Sequence, residues 1–210
     1  WGIFHKPLIE FYKNIYKIKW DNISSYKTLG EFFLRDVPFD IADAKIVSPV
    51  EAAIIDGPSP IEIDKRVSVK GLQYHWKNFK EFDIQKFKSG SFWNFYLAPP
   101  DYHWVHLPLD ARKLEGFRHS GHLWPVNSMG RKLQPLLYTE NERLTYRFQT
   151  EEFGEVIMIC IGAMGVSGLR SELGAVSYNQ WTPLANSARK GDRVLGFELG
   201  SSVLLLIEKA

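Results

Sequence analysis

The stretch Phe197-Glu198-Leu199-Gly200-Ser201-Ser202, followed at once by Val203-Leu204-Leu205-Leu206-Ile207, decides how the chain is read. Its apolar run predicts a strand over 200–207. Glycine and serine ahead of such a run usually form a turn, and alone the pair carries no more than that. A Gly-Ser bond held in a tight, strained turn is also a place where a chain can attack itself. The Ser201 hydroxyl can add to the Gly200 carbonyl, because glycine has no Cβ to block the approach and tolerates unusual backbone angles. The product is an ester. Removal of the Ser201 Cα proton then cuts the chain by β-elimination, and the dehydroalanine left at the new end hydrolyses to a pyruvoyl group with loss of ammonia.

Working outward, short β-type runs broken by Gly, Pro, Asp and Asn fill the chain beyond Pro38. Strands are predicted over 44–55, 66–70, 91–97, 102–107, 112–117, 143–149 and 156–163, in addition to 200–207. The expected fold is mainly β, of the α+β class: an antiparallel β-sandwich or barrel-like core with amphipathic helices at its N-terminal end. No internal repeat, low-complexity tract, dinucleotide fingerprint or phosphate-binding loop is present in the sequence.

From 1 to about 20 the positions Phe4, Leu8, Phe11, Ile15 and Ile18 recur at helical spacing, and Ile9, Tyr12 and Tyr16 widen that apolar face. Lys6, Glu10, Lys13 and Lys17 fall opposite. With Lys19, four lysines against Glu10 give the segment a charge of +3. Such a face either lies in a membrane interface or packs on its own domain. A second helix is predicted over 26–34. The organisation read from this is a helical, membrane-associating segment at 1–38 and a β-rich catalytic domain at 39–210.

With 210 residues, 45% hydrophobic and 14% aromatic, the chain can build one sizeable core. Basic and acidic residues nearly balance at 26 and 24, so no global field draws it to nucleic acid. The single cysteine, Cys160, lies in the run Val156-Ile157-Met158-Ile159-Cys160-Ile161 and reads as a packed thiol in a buried strand, which fits a reducing setting. No apolar stretch reaches the roughly 20 residues needed to span a bilayer. No leader pattern opens the sequence, and the start at Trp1 instead of Met leaves room for a preceding piece.

Four of the six histidines form two His-x-x-His pairs, His103 with His106 and His119 with His122. Zinc is the first chemistry such pairs suggest. On a strand, however, residues three apart point to opposite faces, so His103 and His106 cannot share one ion. His119 and His122 flank Gly121 in a predicted turn, where convergence is possible, but a third ligand is not evident. A neutral imidazole near Ser201 would meet a different need, since the hydroxyl is a poor nucleophile without an adjacent base.

Thr28-Leu29-Gly30-Glu31-Phe32-Phe33-Leu34-Arg35, Ser48-Pro49-Val50-Glu51-Ala52-Ala53-Ile54 and the run from Tyr96 through Asp101-Tyr102-His103-Trp104-Val105-His106 to Pro108 add a pattern to these readings. So do Lys70-Gly71-Leu72-Gln73-Tyr74, Val126-Asn127, Asn141-Glu142-Arg143, Gly162-Ala163, Lys190-Gly191 and Leu199-Gly200-Ser201-Ser202. In this order and spacing the chain resembles the phosphatidylserine decarboxylase family, whose members mature by serinolysis at a similar motif.

The resemblance implies self-cleavage between Gly200 and Ser201, a pyruvoyl cofactor derived from Ser201, and decarboxylation of phosphatidylserine to phosphatidylethanolamine. It matches His106 to the histidine that works with the processing serine and His103 to a position near the substrate. No external metal is implied. The cleaved chains would stay associated, the substrate would be a phospholipid, and the protein would sit peripherally on the cytoplasmic membrane face, with a homodimer left open. Four departures stand out: Glu51 occupies the position where relatives carry aspartate, Leu195 stands where a glycine is usual with Gly196 one step later, 162–168 keeps the small residues in another order, and Ala175 to Pro183 fits the family poorly. Glu51 reaches one methylene further toward His106, and Asp56 would face the other side of a strand. Rival readings are a pyruvoyl decarboxylase of another amine acid or lipid head group, an unprocessed phospholipid-binding pseudoenzyme, and a zinc protein using His119 and His122.

Overall fold

A computed structural model describes residues 5–19, 25–64, 66–69, 72–124, 132–134, 136–162, 169–198 and 201–209. The strands are β1 (Ala53–Pro60), β2 (Arg66–Val69), β3 (Leu72–His75), β4 (Ser91–Tyr96), β5 (Trp104–His106), β6 (Ala111–His119), β7 (Arg143–Gln149), β8 (Glu155–Ile161), β9 (Leu169–Ser171), β10 (Trp181–Ala188), β11 (Arg193–Phe197) and β12 (Ser202–Ile207). Seven of them form one antiparallel sheet in the order β1-β4-β12-β8-β7-β6-β10, three form a second sheet β5-β11-β9, and β2 and β3 make a hairpin.

The apolar run that opened the sequence reading is β12, and it lies inside the large sheet. It pairs with β4 from Ser202↔Tyr96 to Ile207↔Ser91 and with β8 from Ser202↔Ile161 to Ile207↔Val156. Because side chains alternate, Val203, Leu205 and Ile207 join Val156, Met158 and Cys160 on the face covered by Val105, Val194, Leu195 and Phe197 of the second sheet. Leu204 and Leu206 join Ile157, Ile159 and Ile161 on the opposite face, under Tyr74, Trp76, Phe79, Ile84 and Phe87. With both faces covered there is no polar side to alternate with, which is why both strands read as unbroken apolar runs. Burial pushes the Cys160 thiol up, so it stays protonated as a packing group.

The sandwich expectation describes this architecture; the barrel-like alternative does not, since β1 and β10 end the large sheet without pairing to each other. Two further expectations change. The strand foreseen over 44–55 begins at Ala53, because Pro49 has no N–H for a ladder and the Ser48 hydroxyl closes a local turn on the Val50 carbonyl at 2.6 Å. β3, β9, β10 and β11 were not foreseen. β10 is a half-exposed edge strand of Trp181-Thr182-Pro183-Leu184-Ala185-Asn186-Ser187-Ala188, and Pro183 sits next to its register shift, where a missing donor is tolerated.

Two helices precede the sheets: α1 (His5–Tyr16) and α2 (Leu29–Phe33). The Thr28 hydroxyl caps α2 by accepting from the Glu31 N–H at 3.1 Å. Ile9 and Ile18 of the α1 segment are buried on Phe32 and Phe33. Leu8, Phe11 and Ile15, at steps of three and four, remain exposed. The apolar face expected of this segment is thus divided, one edge packing inward and the other facing out.

Candidate active site

Ser201 stands at the entrance to β12. Its carbonyl accepts from the Leu97 N–H at 3.1 Å, so the ladders of β4 and β8 fix it from its C-terminal side. Its side chain is fully buried, and among the described residues its Oγ has no hydrogen-bond partner. Leu199 and Gly200 lie outside the described residues, as do Lys70-Gly71, Val126-Asn127 and Ala163 of the sequence pattern. Leaving a buried hydroxyl unpaired costs about 1–3 kcal/mol, so an orphan at this place calls for an explanation.

The residues leading back from Ser201 reach His103 in two steps. After Leu97 the chain turns, with the Asp101 N–H donating to the Ala98 carbonyl at 2.9 Å and the Ala98 N–H donating to the Asp101 carboxylate at 2.7 Å. The Asp101 carbonyl then accepts from His103 Nδ1 at 2.7 Å. From the other side, the Phe197 N–H donates to the His103 carbonyl at 3.0 Å. The stretch carrying His103 is therefore tied to the strands on both sides of 198–201.

A carbonyl only accepts, so His103 is protonated at Nδ1 and its Nε2 presents a lone pair. That Nε2 is buried and has no partner among the described residues. The ring packs edge-on against Phe33, 4.9 Å between centroids. Burial, partly opposed by the Asp101 carbonyl and assisted by the Arg35 charge, lowers its pKa to about 4. The imidazole is neutral at physiological pH. Because the unfolded chain binds this proton below its ordinary value near 6.5, the burial costs stability progressively as pH falls from there toward 4.

His106 occupies different surroundings. Its ring stacks on Tyr102 and meets Phe39 at 4.4 Å between centroids. Nδ1 donates to the Gly191 carbonyl at 2.6 Å, and Nε2 accepts from the Tyr102 hydroxyl at 3.2 Å. Burial moves its pKa down. Gly191 can supply that carbonyl because its φ is +89° and because a Cβ there would lie 2.0 Å from the Ile41 methyl, two reasons for glycine at one position. Lys190 anchors the same corner by donating its N–H to the Asp110 carboxylate at 2.7 Å and its ammonium to the Ala44 carbonyl.

His106 lines a cleft of about 320 Å³ together with Phe39, Ile41, Tyr102, Gly191 and Glu51. Glu51 is exposed at this cleft, and no hydrogen bond joins it to His106, whose Nδ1–H already goes to Gly191. Its charge does reach Tyr102 and Arg35. The structure thus brings Glu51 and His106 to one cleft and sets His103 and Ser201 on either side of the 97–101 turn. Arg35 and Tyr102 belong to the quoted motifs, yet their residue types alone gave no role. The only signal was an arginine closing an apolar helix.

His119 ends β6 opposite Arg143, and His122 bridges to Asn141. Among the described residues no group of three or more metal-ligating side chains converges.

This two-sheet fold, with a buried serine heading a central strand and a buried imidazole tied to the same 97–101 turn, both unpartnered among the described residues, is the class of site that can carry acyl transfer within its own backbone. The profile of the phosphatidylserine decarboxylase family matches residues 29–210. The chain is 33% identical over 208 residues to the phosphatidylserine decarboxylase proenzyme of Nitrosospira multiformis, covering 90% of this chain and 71% of that one. It is 30% identical over 208 residues to the proenzyme of that name from Shewanella amazonensis, covering 90% and 72%. With that from Haemophilus ducreyi it shares 29% identity over 235 residues, covering 100% and 78%. The chain belongs to the phosphatidylserine decarboxylase family.

Proposed function

We propose that the protein is a proenzyme that cuts itself between Gly200 and Ser201 and then converts phosphatidylserine to phosphatidylethanolamine. The observation that carries this reading is the buried, unpartnered Ser201 hydroxyl at the head of a strand held by ladders on both sides. After cleavage 201–210 is too short to fold alone, and those ladders keep it in place.

Processing needs a base twice, at the Ser201 hydroxyl and at its Cα. Two neutral imidazoles, both protonated at Nδ1, offer Nε2 lone pairs. That of His103 is free, whereas His106 must first release the Tyr102 hydroxyl. The lone pair of His103 and the hydroxyl of Ser201 are complementary orphans, and a hydrogen bond between them would satisfy both. His103 is therefore our candidate for the proton at Ser201, a role the family resemblance gives to His106, and His106 is our candidate for proton transfer at the cleft. Glu51 acts there through its charge. The pyruvoyl group left on Ser201 supplies an electrophile for the substrate amine and a sink for the electrons released with carbon dioxide.

The test is an intact mass spectrum under denaturing conditions, combined with incubation on phosphatidylserine vesicles. Two species are expected, one ending at Gly200 and one starting at Ser201 but lighter by one ammonia than the plain peptide, with phosphatidylethanolamine formed. A single uncut chain that still binds vesicles would replace this reading with a phospholipid-binding pseudoenzyme, an alternative favoured only by the missing bond between Glu51 and His106. A processed chain inactive on phosphatidylserine would point to another amine substrate.

The lipid reaches the site at a membrane surface. Among the described residues no helix is long and apolar enough to cross a membrane. The exposed stripe of Leu8, Phe11 and Ile15 on α1, with Lys6, Lys13 and Lys17 on the same helix segment, suits an anionic interface such as the cytoplasmic leaflet. Phe11→Ser with Ile15→Ser should weaken co-sedimentation with phosphatidylserine vesicles by about tenfold or more, since each buried side chain contributes about 1.5–3 kcal/mol. Unchanged binding would sink the role of α1.

A further inference from the structure

Arg35 follows α2 and is 4% exposed, a cation almost wholly removed from water. Among the described residues it forms no ion pair. Its guanidinium spends its donors on backbone carbonyls instead: one amine reaches Phe32 at 3.4 Å, and the other reaches Pro100 at 2.5 Å and Asp101 at 2.8 Å. It also lies over the Phe32 ring, 5.5 Å from its centroid. Burying a charge on carbonyls alone is expensive, and a tie between α2 and the turn would not require one. The carbonyl it selects gives the reason. The Asp101 oxygen accepts from both Arg35 and His103 Nδ1, and its two lone pairs allow both bonds at once.

We propose that Arg35 is a positioning residue for His103, holding the Asp101 carbonyl that fixes the Nδ1–H tautomer. This deepens the reading above and rests on its use of His103 Nε2 as a proton acceptor. Without the clamp, the 98–101 turn loses its link to α2 and the carbonyl no longer has a fixed direction. The ring could then turn over or exchange tautomers, burying an N–H where a lone pair is needed. The charged group that bears on the ring is Arg35 from the end of α2; Asp101 acts on it through its backbone carbonyl, while its carboxylate is held by the Ala98 N–H. α2 itself presents Phe33, and β11 presents the Phe197 backbone. Arginine suits the task better than lysine, because its two terminal amines reach the Phe32 carbonyl on one side and the Pro100 and Asp101 carbonyls on the other, while a single ammonium is a point donor.

Nitrogen-15 NMR of histidine-labelled full-length chain carrying Ser201→Ala, which cannot process, reads the tautomer directly, with His103→Gln assigning the signal. The parent should show His103 protonated at Nδ1 alone. Arg35→Met should bring in the Nε2–H form and raise the ring's titration midpoint, and Arg35→Lys should fall between the two. In the chain with Ser201 intact, Arg35→Met should lengthen the processing half-time by roughly tenfold or more, the range in which outer partners of a reactive histidine act. A folded Arg35→Met chain with an unchanged His103 spectrum overturns the proposal, as does one that processes at the parent rate. If Arg35→Met does not fold, the same comparisons are made with Arg35→Lys. Should the parent with Ser201 never process, the decarboxylase reading fails, and the tautomer measurement still decides whether Arg35 governs His103.

Discussion

Replacement of Ser201 by alanine is expected to leave one uncut chain with no detectable decarboxylation, and to leave the fold as stable as before. The first half follows from the chemistry: without Oγ there is no nucleophile for the Gly200 carbonyl, no ester to eliminate and no pyruvoyl group. The second half follows from the structure. Among the described residues Ser201 Oγ makes no hydrogen bond, so its loss removes a buried unsatisfied atom instead of breaking a contact. The backbone bond from Leu97 and the β12 ladders do not involve the side chain. Most substitutions at a fully buried position cost stability; here the thermal midpoint should stay level or rise slightly while activity falls to the blank. Mass spectrometry and a thermal melt on one preparation check both halves. Cleavage at the same bond in Ser201→Ala would sink the mechanism, and a large fall in midpoint would mean that Ser201 has a structural duty.

The parts of this site that could be read from sequence are those in which one residue type is required by chemistry. A serine after a glycine, a histidine at fixed spacing in Asp101-Tyr102-His103-Trp104-Val105-His106 and a carboxylate in the Ser48-to-Ala52 segment are of that kind. The central strands were equally legible, because burial on both faces leaves continuous apolar runs in 156–161 and 203–207. What did not show was anything carried by the backbone. The tautomers of His103 and His106 are set by the carbonyls of Asp101 and Gly191, and a carbonyl has no letter in the sequence. β11 also escaped notice, being five residues with Gly196 inside. That glycine is needed because a Cβ there would lie 2.5 Å from the Leu34 side chain and 2.9 Å from the Trp104 ring. In the same way the 44–50 segment looked like a strand by composition, yet Pro49 and the Ser48 turn make it a strap, and the Pro49 carbonyl accepts from the His106 N–H at 2.8 Å.

Glu81→Ala should be among the most destabilising single substitutions outside the site. Glu81 and Arg143 form a pair whose side chains are each 1% exposed. Arg143 donates to both carboxylate oxygens, at 2.7 and 2.8 Å, and to the Thr139 carbonyl at 2.6 Å, while the Thr145 hydroxyl donates to Glu81 at 3.0 Å. Burial by itself would raise the Glu81 carboxyl, but the Arg143 and Thr145 hydrogen bonds and the Arg143 charge outweigh it and hold the group below its ordinary value. The Glu81 carbonyl also accepts from the Trp181 indole at 3.1 Å, so this one residue ties the layer over Leu204 and Leu206 to β7 and β10. Removing the carboxylate leaves a buried guanidinium without its counter-charge, at a cost of about 3–5 kcal/mol. For a chain of this size that lowers the midpoint by roughly 6–20 °C. The double change Glu81→Met with Arg143→Met should cost much less, since it removes both charges together. The pH dependence has a fixed sign: the depressed carboxyl contributes stability above its ordinary value, and that contribution disappears as pH falls through its folded value. Glu81→Gln should flatten this acid limb. A melt of Glu81→Ala within about 2 °C of the parent, a shift of only about 0.5–1 kcal/mol, would show that the layer holds β12 without the pair.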